Sequence, residues 1–337
     1  MPKRFIFMGI FVLIVAAASW LAAANWQPQK TEEIDTGVAS ENLVDASVPS
    51  AKISIISSLF PWYDLSREIG GDRVEARLLL PPGVEAHAFE PTPSDMIALS
   101  KTKLFVYTGD YMEPWAQDIL DGLDGSAPAS LVIGQDLAVL EGVEHEHEEE
   151  GEEHEDGHEH SGLDPHIWLD PMIMSKAAGR LAKALAELDP AGKSYYNQRL
   201  EAYQHRLDQL DEDYRQTLGT CKQNNFIFAG HYAFGYLASR YKLQYEAAQG
   251  FSPDAESSPQ QLQALSDLIK TTGVKYIFAE ELENQQLAEA LAQENGVKIL
   301  LLNSAHNLSK DDLKDGLSYL DIMQSNLKQL STGLLCR

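Results

Sequence analysis

The sequence predicts an α/β protein of two lobes, each built on a parallel-type sheet. Two observations carry this: short β-branched runs alternate with helix-spaced segments in two blocks, and a long helical stretch separates the blocks. Beginning at Lys52, KISIISSLFPWYDLSREIGG reads as a strand, a Pro turn and a helix, and VEARLLL follows the Gly-Gly turn as a second strand. KLFVYTG and SLVIG are further apolar runs bounded by Gly, with Trp115, Ile119 and Leu120 at helical spacing between them. From Pro171 to about Thr220, residues such as Leu181, Leu185, Leu200, Tyr203, Leu207 and Tyr214 recur at helical spacing, so one long helix is expected, with a break or curve near Pro190. The alternation then resumes. NFIFAGH precedes AFGYLASRY, LQYEAAQG precedes a helix from Ser258 to Lys270, KYIFAEE precedes QQLAEALAQE, and VKILLLN precedes a final helix near Asp312 to Leu330. The expected organisation is an N-terminal lobe over 52–170, a linking helix over 171–220 and a C-terminal lobe over 221–337. Two such lobes offer a cleft at the carboxyl ends of their strands, where open parallel sheets bind ligands.

With 337 residues the chain is long enough for two domains, and 26 Lys+Arg against 51 Asp+Glu give a net charge of −25. That balance supplies no footprint for nucleic acid or anionic lipid. Eleven of the acids fall between Glu141 and His160, a local feature and not a property of the fold. At the other end, Lys3 and Arg4 precede an apolar run from Phe5 to Ala24 closing in LAAAN, which reads as a secretion signal over 1–24 cut before Asn25; an uncleaved anchor helix is the alternative. Residues 25–51 are polar and aperiodic, as in a flexible tether. Either reading puts the body outside the cytoplasm, in the periplasm. An oxidising compartment favours pairing of Cys221 with Cys336, whereas fraying of the C-terminus would leave Cys336 unpaired or bridge two molecules.

Ten histidines form two populations. Five lie in EHEHEEEGEEHEDGHEH, whose lack of apolar residues makes 142–162 a mobile loop of metal-binding composition, suited to weak zinc collection, although most such charge runs are simply solvated. Of the dispersed five, His205 sits among Gln204, Arg206 and Asp208 and reads as solvated surface. His87 follows LLLPPGVEA, His231 follows NFIFAG and His306 follows VKILLLNSA, so three lie past the carboxyl end of a predicted strand. His166, in LDPHIWLDP, opens the long helix. Any one of them alone would be read as a hydrogen-bonded structural residue. Four at strand ends or mouth loops point to a borderline-soft divalent cation such as Zn²⁺, because neutral imidazoles suit it and Ca²⁺ or Mg²⁺ would need more carboxylates.

These motifs resemble the zinc-binding branch of the metal-specific solute-binding proteins of bacterial ABC importers. The resemblance runs from about Lys52 to Leu330 and rests on PPGVEAHAFEPTPSD, the His-rich insert followed by DPHIWLDP, FAGHYAFGYLASRY, GFSPDAESSP and YIFAEE, in order. It implies two α/β lobes joined by a rigid long helix, with the metal in the interlobe cleft. It also implies that His87, His166 and His231 are metal ligands. At the fourth position, where relatives place Asp, Glu or water, this chain has His306; Glu280 and water remain the alternatives.

The function implied is capture of Zn²⁺ without chemistry and its delivery by a single chain, acting as a monomer, to a cognate membrane permease with its ATPase. No nucleic acid is involved. Metal binding displaces protons from charged imidazoles, so affinity is expected to fall below about pH 6.5. Three rivals stand beside this reading: manganese or iron import by the same class of protein, a secreted zinc buffer or adhesin, and a zinc hydrolase with Glu85 or Glu280 as base. The hydrolase would need an open ligand position, which a four-ligand set closes.

Overall fold

The structure is a computed structural model that describes residues 52–337 save 88, 138–139, 141–162 and 252–256. The expected leader (1–24), tether (25–51) and His/Glu-rich loop (142–162), and the middle of GFSPDAESSP, lie outside the described residues.

The first sheet comprises β1 (Ile53–Ser57), β2 (Val74–Leu78), β3 (Leu104–Tyr107) and β4 (Ala129–Val132), in the order β2-β1-β3-β4. The second comprises β5 (Asn225–Phe228), β6 (Gln244–Ala247), β7 (Tyr276–Glu280) and β8 (Lys298–Leu302), in the order β6-β5-β7-β8. All pairings are parallel. Both orders follow one pattern, in which the first strand stands between the second and the third. Between the first and third strands the connections leave for opposite faces, and a crevice opens at the carboxyl ends.

Alternation of side chains explains why the strands read as continuous apolar runs. Ile55, Phe226, Phe228 and Phe278 face a core shared by both lobes, while Ile56, Ile227 and Ile277 face outward into two smaller clusters. The N-terminal outer cluster is covered by α2 (Pro93–Leu99) and α3 (Trp115–Gly122), and the C-terminal one by α7 (Pro259–Thr272) and α8 (Gln286–Asn295). Helix α2 is not foreseen in the sequence. It is a two-turn element held by its ends, with Pro93 in the first turn and a reciprocal capping box between Thr92 and Asp95.

The break expected near Pro190 is a full reversal, so the single helix expected over 171–220 is two. Helix α4 (Pro171–Leu188) ends at Asp189, a 3₁₀ turn spans Pro190–Gly192, and α5 (Lys193–Leu218) runs back along α4, with Gln204 Nε2 donating to Ser175 O at 3.4 Å. Asp189 holds the corner: its carboxylate accepts from Gly192 N, Arg73 Nε and Tyr196 Oη. Helix α5, 26 residues and about 39 Å long, is the link between the lobes. It touches α1 (Phe60–Gly70) through the Arg206–Glu68 ion pair and α10 (Tyr319–Gly333) through Tyr214 Oη donating to Met323 O at 2.6 Å. Ile55, Trp62, Leu181, Leu207, Phe228 and Leu330, from both lobes and both linking helices, belong to one unbroken cluster. Each such side chain contributes roughly 1.5–3 kcal/mol by burial. The lobes are therefore fixed to one another by core packing.

In the second lobe α6 (Gly235–Tyr241) follows β5, and the final helix is also two. Helix α9 (Lys310–Asp315) stops at Gly316, whose φ of 77° provides the left-handed cap, and Ser318 starts α10. Cys221, just past α5, is joined to Cys336 after α10 across 115 residues of sequence. Among the described residues, no helix is long and apolar enough to cross a membrane.

Candidate metal centre

Both lobes contribute to one histidine cluster. After β5 the chain passes Ala229 and Gly230 and turns His231 into the crevice between β5 and β7; Glu280, the last residue of β7, borders the same crevice. His166 immediately precedes a 3₁₀ turn, Ile167–Leu169, and Asp170 then caps α4 by accepting from Met172 N at 2.7 Å. Trp168 in that turn donates from Nε1 to Ser304 O at 2.7 Å and lies edge-on to His166, 5.4 Å between ring centroids. His87 arrives from the loop between β2 and α2.

The rings of His87, His166 and His231 stand 5.3–5.8 Å apart between centroids. Each offers a nitrogen within 4.8 Å of the others'. A tetrahedral Zn²⁺ with bonds of 2.0–2.1 Å separates its ligand atoms by about 3.3 Å, so a modest inward movement of the rings would close around the ion. His166 and His231 are fully buried. Nε2 of all three rings is buried without a hydrogen-bond partner among the described residues, a costly arrangement unless something else occupies those lone pairs.

Carboxylates behind the rings orient them. Asp164 Oδ1 lies 2.8 Å from His166 Nδ1 and also accepts from His166 N at 2.9 Å, which directs the Nε2 lone pair inward. Glu283 Oε1 lies 2.8 Å from His231 Nδ1, an ion-pair distance that is not aligned as a hydrogen bond. Gly235, at the start of α6, is required beside this arrangement: a Cβ there would lie 2.5 Å from Asp164 Oδ2 and 2.7 Å from the Tyr232 ring.

The electrostatics divide the rings. Burial drives His87 down to about 3, helped by His231, and drives His166 and His306 well below the ordinary value. These rings are neutral and ready to donate lone pairs. Burial would lower His231 too, but the Glu283 carboxylate, with Glu280 and Glu85, raises it overall. Burial also pushes Glu280 up to about 7 and Asp164 up to about 8. A divalent cation placed here would reverse that penalty and ionise both carboxyls.

His306 lies on the loop after β8, 6.1 Å from His231 between ring centroids, and stands outside the three-ring set whose nitrogens lie within 4.8 Å. Its Nδ1 is hydrogen-bonded to Ser304 Oγ. Glu280 is the neighbouring alternative: Oε1 accepts from Ser304 N at 3.2 Å and Oε2 is buried without a partner. The loop is tied to the first lobe, with Phe60 N donating to His306 O at 3.1 Å and Asn307 Nδ2 donating to Pro81 O and Val84 O at 2.9 and 2.7 Å. A cavity of about 310 Å³ lined by Gly83, Glu85, Gly230, Glu283 and His306 lies beside the cluster. His205 lies on α5, away from these residues. Sequence reading misses Asp164 and Glu283. The Asp of LDPHIW two residues before His166 is a usable signal for the first; nothing in ELENQ distinguishes the second.

Two lobes of one topology, with buried imidazoles gathered between them whose Nε2 atoms lack partners among the described residues, define a two-lobed metal-binding protein. The chain belongs to the family described as zinc-uptake complex component A, periplasmic (ZnuA), which it matches over residues 55–333. It is 36% identical over 286 residues to the high-affinity zinc uptake system protein ZnuA of Bacillus subtilis, covering 85% of this chain and 89% of that one. It is 34% identical over 284 residues to the zinc-binding lipoprotein AdcA of Streptococcus pneumoniae, covering 83% of this chain but only 55% of AdcA. Among solved structures it is similar to the Zn(II)-bound ZnuA-like domain of S. pneumoniae AdcA, with a TM-score of 0.70 and 31% identity over 84% of this chain and 99% of that one. It is also similar to the laminin-binding protein Lmb of Streptococcus agalactiae, described as a bifunctional adhesin and metal transporter, with a TM-score of 0.73 and 30% identity over 84% and 99%.

Proposed function

We infer that this chain is the periplasmic zinc-binding component of an ABC importer, which captures Zn²⁺ between its lobes and delivers it to a membrane permease driven by an ATPase. The observation that carries this reading is the buried, unpartnered Nε2 of His87, His166 and His231. Three converging imidazoles, two of them held neutral by burial, match the donor preference of Zn²⁺ and offer little to a harder cation such as Mn²⁺. We assign the fourth position to His306, with Glu280 as its alternative.

The protein binds and releases its ion without covalent chemistry and acts as a monomer. With the lobes joined by a continuous core, capture relies on movement of the rings and of the loops that carry them. The test is a Zn²⁺ titration of the full chain in excess Mn²⁺, repeated with His166→Ala and His306→Ala. One tight zinc site is expected, weakened roughly 100-fold by the first substitution and less by the second. An unchanged affinity in His166→Ala would move zinc capture out of the cluster, and an unchanged affinity in His306→Ala would pass the fourth position to Glu280 or water.

A further inference from the structure

The outer edge of the second sheet carries a groove that the zinc site does not use. β8 is the last strand of its sheet and pairs with β7 alone. Its inward ladder fixes which residues face out. Lys298 N donates to Lys275 O at 3.0 Å, and Leu302 O accepts from Glu281 N at 2.9 Å. In a parallel pair the inward residues are then Lys298, Leu300 and Leu302, and the N–H and C=O groups of Ile299 and Leu301 point away from the sheet.

Two residues beyond Leu301 the outward groups are occupied. Asn303 N donates to Asn326 Oδ1 at 3.0 Å, and Asn326 Nδ2 donates to Asn303 O at 2.7 Å. The side-chain amide of Asn326, on α10, thus stands where a neighbouring strand would stand. Ile299 and Leu301 have no such partner among the described residues. Beside them lies a cavity of about 400 Å³, walled by Ile299 and Leu301 on one side and Ile322 of α10 on the other. Leu301 is 36% exposed. Glu281, Asp312 and Asp321 line the cavity, and no Lys or Arg does.

We propose that this groove binds an extended, basic segment of a partner protein as an added strand on β8. The unpaired backbone groups at 299 and 301 select extended backbone, the apolar walls take alternate side chains, and the three carboxylates select Lys or Arg on the segment. Charge argues against the chain filling its own groove: residues 25–51 carry five acids and one base, and 141–160 carry eleven acids and no base. A second copy docked edge to edge would set the same three carboxylates against themselves.

The test uses the full chain and a blocked Val-Lys-Val-Lys-Val-Lys peptide, read by amide hydrogen exchange and NMR shifts. At saturation, exchange at Ile299 and Leu301 is expected to slow at least tenfold, with the zinc affinity unchanged. Leu301→Pro removes an outward donor without breaking the ladder to β7 and should abolish binding. Glu281→Gln, which can still accept from Asn303, should weaken it severalfold and reduce its salt dependence. Four results would overturn the proposal: no slowing at millimolar peptide, equal binding of a Val-Glu peptide, undiminished binding in both variants, or amides at 299 and 301 already protected in the peptide-free chain. The last would mean that the chain or a second copy fills the groove.

Discussion

The two sheets share one strand order, yet their crevices are finished in opposite ways. Between β1 and β3 the crevice is closed by the protein itself. Glu113, 2% exposed, accepts from Ser58 Oγ at 2.5 Å, Thr108 N and Oγ1 at 3.0 Å and Gly109 N at 3.1 Å, while Trp62 Nε1 donates to Thr108 Oγ1 at 2.9 Å. Between β5 and β7 the corresponding place holds His231, Glu280 and Glu283; Glu280 Oε1 accepts from Ser304 N, while Glu280 Oε2, Glu283 Oε1 and both ring nitrogens of His231 are buried without a hydrogen-bond partner among the described residues. Topology supplies a crevice in both lobes. Whether it becomes a structural plug or a cation site depends on whether the side chains satisfy one another.

The contrast can be broken most strongly at the open crevice. Replacing one of the four proposed ligands in a site worth about 12 kcal/mol would remove about 3 kcal/mol, so His231→Ala should weaken Zn²⁺ by roughly 100-fold in a competitive titration. Next come the orienting carboxylates. Asp164→Asn and Glu283→Gln should each cost about 10- to 100-fold, and an unchanged affinity would show that the rings hold their direction without them.

Acid should act through one of the rings and through two carboxyls. His87, His166 and His306 are held neutral by burial, whereas His231 is raised by its carboxylates and is charged below its elevated pKa. Zn²⁺ must displace that proton and, by ionising the Glu280 and Asp164 carboxyls that burial holds up to about 7 and about 8, theirs as well, so affinity should fall as the pH drops. Calorimetry in buffers of different ionisation enthalpy counts the protons, and an affinity independent of pH with no proton released would contradict the assignment.

The closed crevice should leave zinc affinity within about threefold when altered, while changing stability. Burial raises the Glu113 carboxyl from 4.5 to about 7, although Ser58, Gly109 and Thr108 pull it down. A carboxyl with a higher pKa folded than unfolded keeps its full stability below pH 4.5 and loses it as pH rises through about 7, here by about 3 kcal/mol. Glu113→Gln keeps the shape and removes this dependence. Urea unfolding of the zinc-free chain at pH 4.5 and pH 8 should therefore differ less in the variant, and an undiminished difference would clear Glu113 of the role.

Much of this arrangement is legible in the sequence, because strand-ending apolar runs place His87, His231 and His306 at the mouths of parallel sheets, and DPHIWLDP places His166 at a helix start. The remainder depends on geometry that composition does not express. A Pro early in a helical turn suits a curve as well as the reversal found at Pro190. Ala305 takes a φ of 60°, a left-handed conformation rare for residues with a side chain, and that turn directs His306. Glu283 is one acid among 51, marked out only by the folded chain around it, whereas Asp164 carries the one local signal of standing two residues before His166.

The most direct test is anomalous diffraction at the zinc edge from crystals of the full chain grown with one equivalent of Zn²⁺. One dominant peak is expected, about 2.0–2.1 Å from Nε2 of His87, His166 and His231. A dominant peak remote from those three nitrogens would contradict it.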